Sequence, residues 1–518
     1  MIGSERTSRT DQRLSTPSLA RNTAHNASIT AMRLVSGLIV SPVLFWALGP
    51  ESYGLWSVIW AFVGTLGLVD LRLGSAATPL IAAARESGDP KQVSRLANTG
   101  FLIYGTMCAA ALVVALILIK TSALMQWLPV RFRLDVALIL PAAVAAFAVT
   151  LLITLFQGFL QGFQRFDITA RITVIAGVLR AILLVVVALT GGGLKEFVLV
   201  EIWIIGLQGI LLAFAVRRHI PGFRFISRPD GSAFRELSYF GLKLEVAHAA
   251  HLISLHIDKL LITAFLGLEA VAYYDLGAKL VLTARSFPLL LVSATVPVAS
   301  TLETAGERDR LWELYRKIST LLAWTGIPIF LWIVIGAEPL LFAWAGTTAI
   351  EARLTVWILS AGVFLGVYSG MANTVSVGLG KPEIDMRRSI LAGSLNIILS
   401  ASLIKLLGFP GAPLGTALAF AIGSVYLFTK VHRHFDRSPV LFLRPLALPV
   451  LTAIPATAGA LLLLQQVGDS RPQNIILLVA TALLVGGIFL VGALLSGILK
   501  REFLQSIRNP LAGLNLDE

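Results

Sequence analysis

The stretch that decides the fold is LGPESYGLW, residues 48–56, because a related stretch, LGLEAVAYYD, returns at residues 266–275. Gly49 in the first stretch corresponds to Gly267 in the second, so the two are separated by 267 − 49 = 218 residues. A shared offset over many positions indicates an internal repeat, and a repeat implies two structurally equivalent halves. Further pairs with this offset are Glu51 and Glu269, Pro79 and Pro297, Gly88 and Gly306, Gly162 and Gly380, Asp167 and Asp385, and Gly193 and Gly411.

The composition is that of a membrane protein. Among 518 residues, 42 Lys and Arg stand against 29 Asp and Glu, a formal charge of +13, yet only 14% of residues are charged and 56% are hydrophobic. Soluble domains carry roughly 25% charged residues, so a soluble enzyme is disfavoured. Apolar residues also come in blocks of about twenty, which is the length of a membrane-spanning helix. An all-α polytopic membrane protein is predicted. About fourteen spans are expected, over approximately 22–48, 52–82, 97–119, 134–157, 170–190, 194–216, 238–266, 270–300, 312–336, 351–378, 388–407, 412–430, 446–467 and 473–499.

The basic residues between these spans predict the orientation. Most of the Lys and Arg lie in the tails and in alternate loops, such as the arginine-rich segment 217–235, whereas the opposite loops contain few. Because cytosolic loops carry the excess of positive charge, both termini are expected in the cytosol. The positive charge is thus explained by topology, and with no zinc-ligand spacing in the chain we expect no nucleic-acid partner.

The repeat predicts two six-helix bundles. Because six is an even number, the second half enters the membrane in the same orientation as the first, as in parallel repeats. Such repeats place a cavity between two bundles whose rocking gives alternating access, so a transporter is inferred. The expected organisation is an N-terminal tail 1–21, a first bundle 22–220, a linker 221–237, a second bundle 238–436, two additional spans 437–499 and a C-terminal tail 500–518.

Ionisable residues inside the spans are the candidates for function, because a charge in the bilayer centre costs at least roughly 2.5–3.5 kcal/mol unless it faces the protein interior. They are read either as contacts to a substrate or an ion, or as internal ion pairs that hold the helices together. The cationic candidates are Arg33, Arg72, Arg180, Lys259, Lys279 and Arg285. The candidates for ion or proton coupling are Asp70, Glu245, His248, His251, Asp258 and Asp275.

Several of these residues have a specific structural alternative. Asp275 and Lys279 lie one helical turn apart and can pair, and a structural pair is also expected between the neighbours Asp258 and Lys259. Glu201 is expected to pair or to extend its carboxylate to the membrane surface. The three-residue steps from Glu245 through His248 to His251 fan out too widely for a metal site, so no metal is expected, while proton titration by histidine stays open.

Patterns of catalysis are sparse. No GxxxxGK[ST] phosphate loop occurs, and the glycine run 191–193 joins two spans rather than following a strand. The longest outer connection, about residues 120–133, is too short to hold an acceptor substrate. We therefore expect no enzyme, no catalytic residue and no cofactor.

Four stretches carry a resemblance to a known family: residues 48–56; GLVDLRLG at 67–74; IDKLLITAFLGLEAVAYYDLGAKL at 257–280; and Pro297 followed by Gly306 and Glu307. The chain resembles, over nearly its whole length, the bacterial polysaccharide transporters, the O-antigen flippase group of the multidrug/oligosaccharidyl-lipid/polysaccharide (MOP) superfamily. The resemblance implies a MOP-flippase fold in the bacterial inner membrane. It also implies export of an undecaprenyl-diphosphate-linked oligosaccharide for lipopolysaccharide or other surface polysaccharide synthesis. A diphosphate would favour a cavity with excess cations, which the six cationic candidates could supply.

Other functions stay open within and outside that superfamily. A lipid II flippase is hardly separable by sequence, a cationic drug exporter would favour a more acidic cavity, and a membrane scaffold would not transport at all. The expected partners are the lipid-linked oligosaccharide, the lipid bilayer and polysaccharide assembly enzymes, and a monomer is expected.

Overall fold

The computed structural model describes residues 16–499, apart from 71, 121–128, 221–229, 294, 467 and 469. Most of both tails and part of the linker therefore lie outside the described residues, as do the side chains of residues 240–255. In these ranges the fold is all-α, as predicted. The helices are α1 (Thr16–Thr65), α2 (Leu73–Glu86), α3 (Pro90–Lys120), α4 (Val130–Gly162), α5 (Phe166–Leu189), α6 (Leu194–His219), α7 (Gly231–Leu266), α8 (Leu268–Ser293), α9 (Val296–Thr304), α10 (Arg308–Ile335), α11 (Ala337–Ala345), α12 (Ile350–Tyr368), α13 (Gly370–Gly378), α14 (Glu383–Leu407), α15 (Gly411–His434), α16 (Ala447–Leu464) and α17 (Arg471–Leu495).

Helix ends follow the repeat of the sequence. α2 ends at Glu86 and α9 ends at Thr304, while α3 begins at Pro90 and α10 begins at Arg308. Each of these pairs has the separation found between the glycine pairs. Equivalent helix ends are therefore separated by the same number of residues as the matched glycines and prolines.

Two glycine pairs explain why these turns are alike. Gly49 and Gly267 have φ of 73° and 90°, and Gly88 and Gly306 both have φ of 71°. Only glycine adopts this left-handed region without a steric cost from Cβ. At Gly49 the residue breaks the helical φ and ψ inside α1, which separates the first two spans as the sequence predicts.

The predicted span 52–82 is divided between two helices. α1 ends at Thr65, a 3₁₀ turn covers Leu66–Val69, and Arg72, at φ 47°, stands just before α2. At this break the side chain of Asp70 accepts a hydrogen bond from the backbone N–H of Arg72 at 2.8 Å. Such a bond offers the backbone an alternative to the helical ladder.

Two other predicted spans are also interrupted. Span 270–300 divides into α8 and α9, with Pro297 in the first turn of α9, where its missing N–H costs nothing. Span 351–378 divides into α12 and α13 at Ser369. Pro79, expected to end or kink its helix, lies inside α2, so the break in that span precedes it.

The start of α7 lies outside the membrane spans and shows how a short polar segment fixes a helix end. Asp230 accepts hydrogen bonds from the Ser232 hydroxyl at 2.6 Å and from the backbone N–H of Ala233 at 3.0 Å. Arg95 lies 3.8 Å from its carboxylate. The Ser232 hydroxyl first, and then these other groups, hold the pKa of Asp230 below its usual range. Asp230 thus caps the helix that carries most of the coupling candidates.

The chain crosses the membrane many times. Ten helices of the described part are long and apolar enough to span a bilayer, and the expected count of fourteen stays a prediction. Large apolar side chains are exposed along α16 and α17, for example Leu462 at 64% and Leu495 at 84%. In a bilayer such faces lie against lipid.

By its internal contacts the chain divides into two compact units. The first comprises the chain up to Val40 together with Val69–Glu245, and the second comprises Ser41–Leu68 together with the chain from Val246 onward. We call them unit 1 and unit 2. The division into bundles 22–220 and 238–436 stays a prediction.

Candidate functional site

Unit 1 encloses a polar cavity of about 310 Å³ among α1, α4, α5 and α6. We call it the unit 1 cavity. Apolar side chains such as Met32 and Ile153 form part of its wall. Its polar lining consists of Arg33, Ser36, Thr150, Thr154, Gln157, Thr173, Arg180, Glu201 and Gln208.

A buried ion pair occupies one side of the unit 1 cavity. The Nε of Arg180 donates to both carboxylate oxygens of Glu201 at 2.7 Å, and its Nη2 donates to the same carboxylate. Its Nη1 donates to the hydroxyl of Ser36 at 3.2 Å. Glu201 is only 4% exposed, so its charge would be unstable without this guanidinium. Of the two alternatives expected for Glu201, the structure shows pairing with a cation. The charge of Arg180 is neutralised by the Glu201 carboxylate.

Arg33 is the other charge in the unit 1 cavity. It lies on α1, is exposed, and lines the cavity. No carboxylate of the described residues lies within ion-pair distance of its guanidinium. Because the pair of Arg180 and Glu201 is balanced, Arg33 leaves this cavity with an excess positive charge.

Asp70 and Arg72 lie at the break that precedes α2. The hydroxyl of Tyr104 donates to Asp70 at 2.5 Å and accepts from the backbone N–H of Leu73 at 2.9 Å. Asp70 and Tyr104 therefore bind the backbone at the start of α2. Asp70 therefore helps to fix the start of α2. Its role in ion or proton coupling stays a prediction.

In unit 2, two lysines share one carboxylate. Asp275 is 2% exposed, and its oxygens lie 2.5 Å from the Nζ of Lys259 and 2.8 Å from the Nζ of Lys279. The predicted pair of Asp275 and Lys279 is present. Since two cations surround one anion, this cluster also has an excess positive charge.

Hydroxyl groups complete the coordination of Asp275. Its Oδ2 accepts hydrogen bonds from Tyr53 at 2.6 Å and from Ser57 at 3.0 Å. Lys279 also donates to the Tyr53 hydroxyl at 2.9 Å. Ser57 and Asp275 are 218 residues apart, which is the repeat offset, so equivalent positions of the two halves are in contact here.

A second buried carboxylate in unit 2 is surrounded by hydroxyls. Asp258 is 1% exposed. It accepts hydrogen bonds from Tyr274 at 2.7 Å, Ser400 at 3.1 Å and Thr416 at 2.7 Å. These partners come from α8, α14 and α15. We call Asp258 with its three hydroxyl partners and the neighbouring Asn396 the Asp258 cluster.

Two hydroxyls of the Asp258 cluster each lie near two acceptors. The Ser400 hydroxyl lies 3.1 Å from Asp258 and 2.9 Å from the side-chain oxygen of Asn396. The Thr416 hydroxyl lies 2.7 Å and 3.1 Å from the same two groups. A hydroxyl donates a single proton, so each can bind one of the two acceptors at a time. The hydrogen bonds to Asp258 come from neutral groups, so no cation of the described residues compensates its charge.

The expected pair of Asp258 and Lys259 is wrong. Lys259 binds Asp275 instead, while Asp258 contacts no cation among the described residues. Successive residues of a helix point about 100° apart, so these two neighbours face different helices.

A cavity of about 250 Å³ connects the two carboxylates of unit 2. Asp258, Lys259, Asp275 and Lys279 all line it, together with His256. The Nδ1 of His256 is buried and has no hydrogen-bond partner in the described part of the chain. Its ring instead packs against Gly64, where an added Cβ would lie 2.6 Å from Nε2.

The remaining predicted residues are less constrained. Arg285 lies within electrostatic reach of Arg388, which in turn binds Asp385 at 2.7 Å. The side chains of Glu245, His248 and His251 lie outside the described residues. Among side chains that are described, no three His, Cys, Asp or Glu converge as a metal site would require.

Sequence reasoning missed the uncharged partners. Tyr53, Tyr274, Ser400 and Thr416 bind the buried carboxylates but carry no charge that distinguishes them within an apolar span. One signal was available: Asn396 and Ser400 lie one turn apart on a single helix. Two adjacent polar residues on one face of a span favour a polar contact.

Solved structures with this architecture are membrane transporters. The chain superposes on the lipid II flippase MurJ in an inward closed conformation with a TM-score of 0.71 and 13% identity, covering 93% of this chain and 100% of that one. An inward-facing multidrug resistance MATE family transporter of the MOP superfamily gives a TM-score of 0.68 and 16% identity over 79% and 94%. This chain is therefore a multi-pass membrane protein with the fold of these two transporters.

Sequence comparison gives the family. The model of the family described as polysaccharide biosynthesis protein matches residues 19–303, more than half of the chain, and the chain belongs to this family. A provisionally named O-antigen transporter of Shigella flexneri is 22% identical over 347 residues, 65% of this chain and 79% of that protein. An uncharacterized membrane protein of Methanocaldococcus jannaschii is 26% identical over 243 residues, 41% of this chain and less than half, 46%, of that relative.

Proposed function

We propose that the protein is an alternating-access flippase that moves an undecaprenyl-diphosphate-linked oligosaccharide from the cytosolic to the periplasmic leaflet of the inner membrane. Both termini lie in the cytosol. The family, the fold and the transporter name of the Shigella flexneri relative support a lipid-linked glycan as cargo. The observation that carries the proposal is that cationic side chains line the cavities of both units, Arg33 in unit 1 and Lys259 with Lys279 in unit 2.

In unit 1 the excess charge is on Arg33. Arg180 is bound to Glu201 at 2.7 Å, so its guanidinium reaches a substrate only if that ion pair opens. Arg33 is exposed and lines the same cavity. The planar guanidinium of Arg33 suits two oxygens of a phosphate or a carboxylate.

In unit 2 the cationic side chains of the cavity are Lys259 and Lys279. The one carboxylate of Asp275 accepts from both, and both side chains also line the 250 Å³ cavity. Two ammonium groups in a medium of low dielectric constant favour a second anion nearby. A diphosphate supplies several negative oxygens, so it can bind both lysines at once.

The Asp258 cluster supplies the coupling group of this proposal. Alternating access against a gradient needs a site whose charge changes as a proton or a cation binds. Asp258 is 1% exposed, contacts no cationic side chain in the described part of unit 2, and is held by neutral hydroxyl groups. Binding of a proton or a cation would compensate its charge.

The charge distribution weakens the drug-exporter alternative. A cationic drug favours a net acidic cavity, whereas the unit 1 cavity has Arg33 and Arg180 against Glu201, and the unit 2 cavity has Lys259 and Lys279 against Asp258 and Asp275. The lipid II flippase differs from the proposed function in its cargo alone, and a scaffold differs by having no transport. Both are outcomes of the following experiment.

A depletion strain tests the function. Mass spectrometry of extracted lipids should show accumulation of a lipid-linked oligosaccharide, and a leaflet-accessibility assay should place it on the cytosolic side. The mass identifies the cargo. Accumulation of lipid II would show that the cargo is lipid II rather than the proposed oligosaccharide. If no lipid-linked glycan accumulates, the protein is not a flippase of such lipids.

Complementation of that strain tests the cationic cavity. Lys279→Met should lower flipping about tenfold, the effect of roughly 1.4 kcal/mol of lost substrate binding. Lys317→Met is the matched control, because Lys317 also pairs with a carboxylate one turn away, Glu313, at 2.6 Å but does not line a cavity. Equal flipping by both variants would count against a role of the lysines in binding.

A further inference from the structure

An uncharged hydrogen-bonding group also lines the unit 1 cavity. The side-chain amides of Gln157 on α4 and Gln208 on α6 both donate to the hydroxyl oxygen of Thr173 on α5, each at 3.2 Å. All three side chains line the cavity and are half-buried. We call these residues the amide triad.

The amide triad has hydrogen-bonding capacity left over. A hydroxyl oxygen accepts two hydrogen bonds and donates one, and both acceptor positions of Thr173 are filled by the two glutamines. No acceptor for its proton lies within hydrogen-bonding distance in the part of the chain that the structure describes. Each glutamine also keeps its side-chain carbonyl oxygen and a second N–H. The triad therefore offers both donors and acceptors to whatever fills the cavity.

Two further hydroxyls of the wall are acceptors. Thr150 donates its proton to the backbone of Ala146 at 3.0 Å, and Thr154 donates to that of Leu151 at 2.8 Å. Because their protons are used within α4, their oxygens can only accept from a ligand. They add acceptors to the donors and acceptors of the triad.

The shape of the cavity also leaves space on α1. Gly37 lines the cavity, and an added Cβ there would meet nothing within 4 Å. Apolar side chains such as Met32 and Ile153 form the neighbouring wall. A ligand with one apolar face and several hydroxyls matches this combination of surfaces.

We infer that the unit 1 cavity is a binding subsite for an uncharged, hydroxylated sugar ring of the glycan headgroup, with Gln157, Thr173 and Gln208 as its specificity-determining residues. This inference rests on the proposed function and names the part of the cargo that unit 1 binds. A sugar hydroxyl both donates and accepts, as the triad requires. At about 310 Å³ the cavity is at the small end of ligand pockets, which run from about 300 to 1,000 Å³. The cavity is therefore large enough for only part of an oligosaccharide. It distinguishes one glycan from another by that part alone.

The alternative is that the amide triad only joins three helices. Interhelical amide and hydroxyl bonds stabilise membrane bundles modestly. That role predicts a loss of stability when an amide is removed, but it predicts no change in sugar binding. The two roles are separated by measuring both quantities on the same variants.

The test is direct sugar binding by the purified full-length protein in nanodiscs. Saturation-transfer NMR with glucose, galactose, N-acetylglucosamine and glucuronic acid as probes should show transfer to at least one neutral ring, with sorbitol as an acyclic control. Gln157→Leu and Gln208→Leu should each weaken binding about fivefold to tenfold, as expected for one lost hydrogen bond to a ligand. Gln161→Leu, one turn along α4 and outside the cavity, should bind as the wild type does.

A space-filling variant keeps the test decisive if a glutamine variant fails to fold. Gly37→Leu adds a side chain at a lining position whose Cβ site has nothing within 4 Å, and it should abolish binding. Gly105→Leu is its matched control, because Gly105 is also helical, has open space around its Cβ position, and lies on the exposed side of α3.

Three results would overturn the inference: no saturation transfer to any ring by the wild type, equal binding by Gly37→Leu, or glutamine variants that lose thermal stability while sugar affinity is unchanged. None of them affects the accumulation assay in the depletion strain. Failure of that assay would contradict the flippase itself, so the two failures are distinguishable.

Discussion

The two halves of the chain share one backbone plan but hold different polar groups inside the membrane. In the first half Arg180 and Glu201 form a buried ion pair. At the equivalent positions, 218 residues later, the second half has Ile398 and Ala419. The ion pair is therefore absent from the second half although the helices that carry it, α5 and α6, are matched by α14 and α15.

The reverse holds for the Asp258 cluster. Asp258 and Thr416 bind each other in unit 2 at 2.7 Å. Their equivalents in the first half are Val40 and Val198, which are both buried and apolar. Each half thus has apolar residues at the positions where the other half has its polar pair.

Comparison of the two halves shows which features they share. Gly49 with Gly267, and Gly88 with Gly306, keep a positive φ in both halves because a residue with a Cβ adopts it only with strain. Cavity side chains are under no such backbone constraint, so each half can specialise. Specialisation fits the proposed function, with sugar recognition in unit 1 and ion coupling in unit 2.

The largest effect is expected from breaking the ion pair of the first half. Glu201→Gln leaves the guanidinium of Arg180 without its carboxylate in a buried position, which should cost about 3–5 kcal/mol of the free energy of unfolding. The double variant Arg180→Ile with Glu201→Ala introduces the residues of the second half and removes both charges. It should lose less stability than the single variant, as measured by denaturant unfolding of the purified protein.

The comparison of these two variants is decisive for the role of the pair. If the double variant is as unstable as Glu201→Gln, the loss comes from packing and not from an orphaned charge. Arg180 and Glu201 would then stabilise the protein by packing in the cavity wall rather than by neutralising each other's charge.

A smaller effect on stability, about 1–3 kcal/mol, is expected for Asp258→Asn in the second half. The amide keeps the shape of the side chain but cannot change its charge, so flipping should no longer depend on the coupling cation. Flipping in proteoliposomes is measured while pH and Na⁺ are varied separately. Asp167→Asn is the control, because Asp167 binds Arg165 at 3.2 Å near the start of α5 and lines no described cavity.

Retention of the wild-type response to both cations by Asp258→Asn would remove Asp258 from coupling. Asp70 and Asp275 would then be the remaining described carboxylates among the coupling candidates. Each binds hydroxyl or ammonium donors that a cation would have to displace.

The backbone was predictable from the sequence because its constraints lie in single residues. Gly49 and Gly267 specify the same turn by themselves, and their spacing gives the repeat. The break at Arg72 was not predictable in this way. The break depends on the hydrogen bond between Asp70 and Tyr104, which lies 34 residues away. No local sequence pattern predicts that contact.

The candidate site was predictable in its charged members and not in its pairing. Asp275 and Lys279 were paired correctly because residues one turn apart lie on the same helix face. Asp258 and Lys259 were paired wrongly because adjacent residues diverge by about 100°. Ser400 and Thr416 are uncharged residues of distant spans, so only tertiary structure reveals that they bind Asp258.

The smallest effect on stability is expected at Arg33, the exposed cation of the unit 1 cavity. Arg33→Gln should change the free energy of unfolding by no more than about 0.5 kcal/mol, since no buried partner is left behind in the described residues. Flipping should nevertheless fall, because the substrate loses an anion contact. Arg171→Gln on α5 is the control, an exposed arginine of the same unit outside the cavity.

Combining Arg33→Gln with Lys279→Met tests whether the two units bind one anion or two. If Arg33 and Lys279 bind different parts of the cargo, their effects on the free energy of flipping should add within about 0.3–0.5 kcal/mol. If both bind the same diphosphate, the second substitution should cost clearly less than it does alone, because the shared contact is already lost. Additivity would support separate tasks for the two units, whereas strong coupling would contradict them even if each single variant behaves as expected.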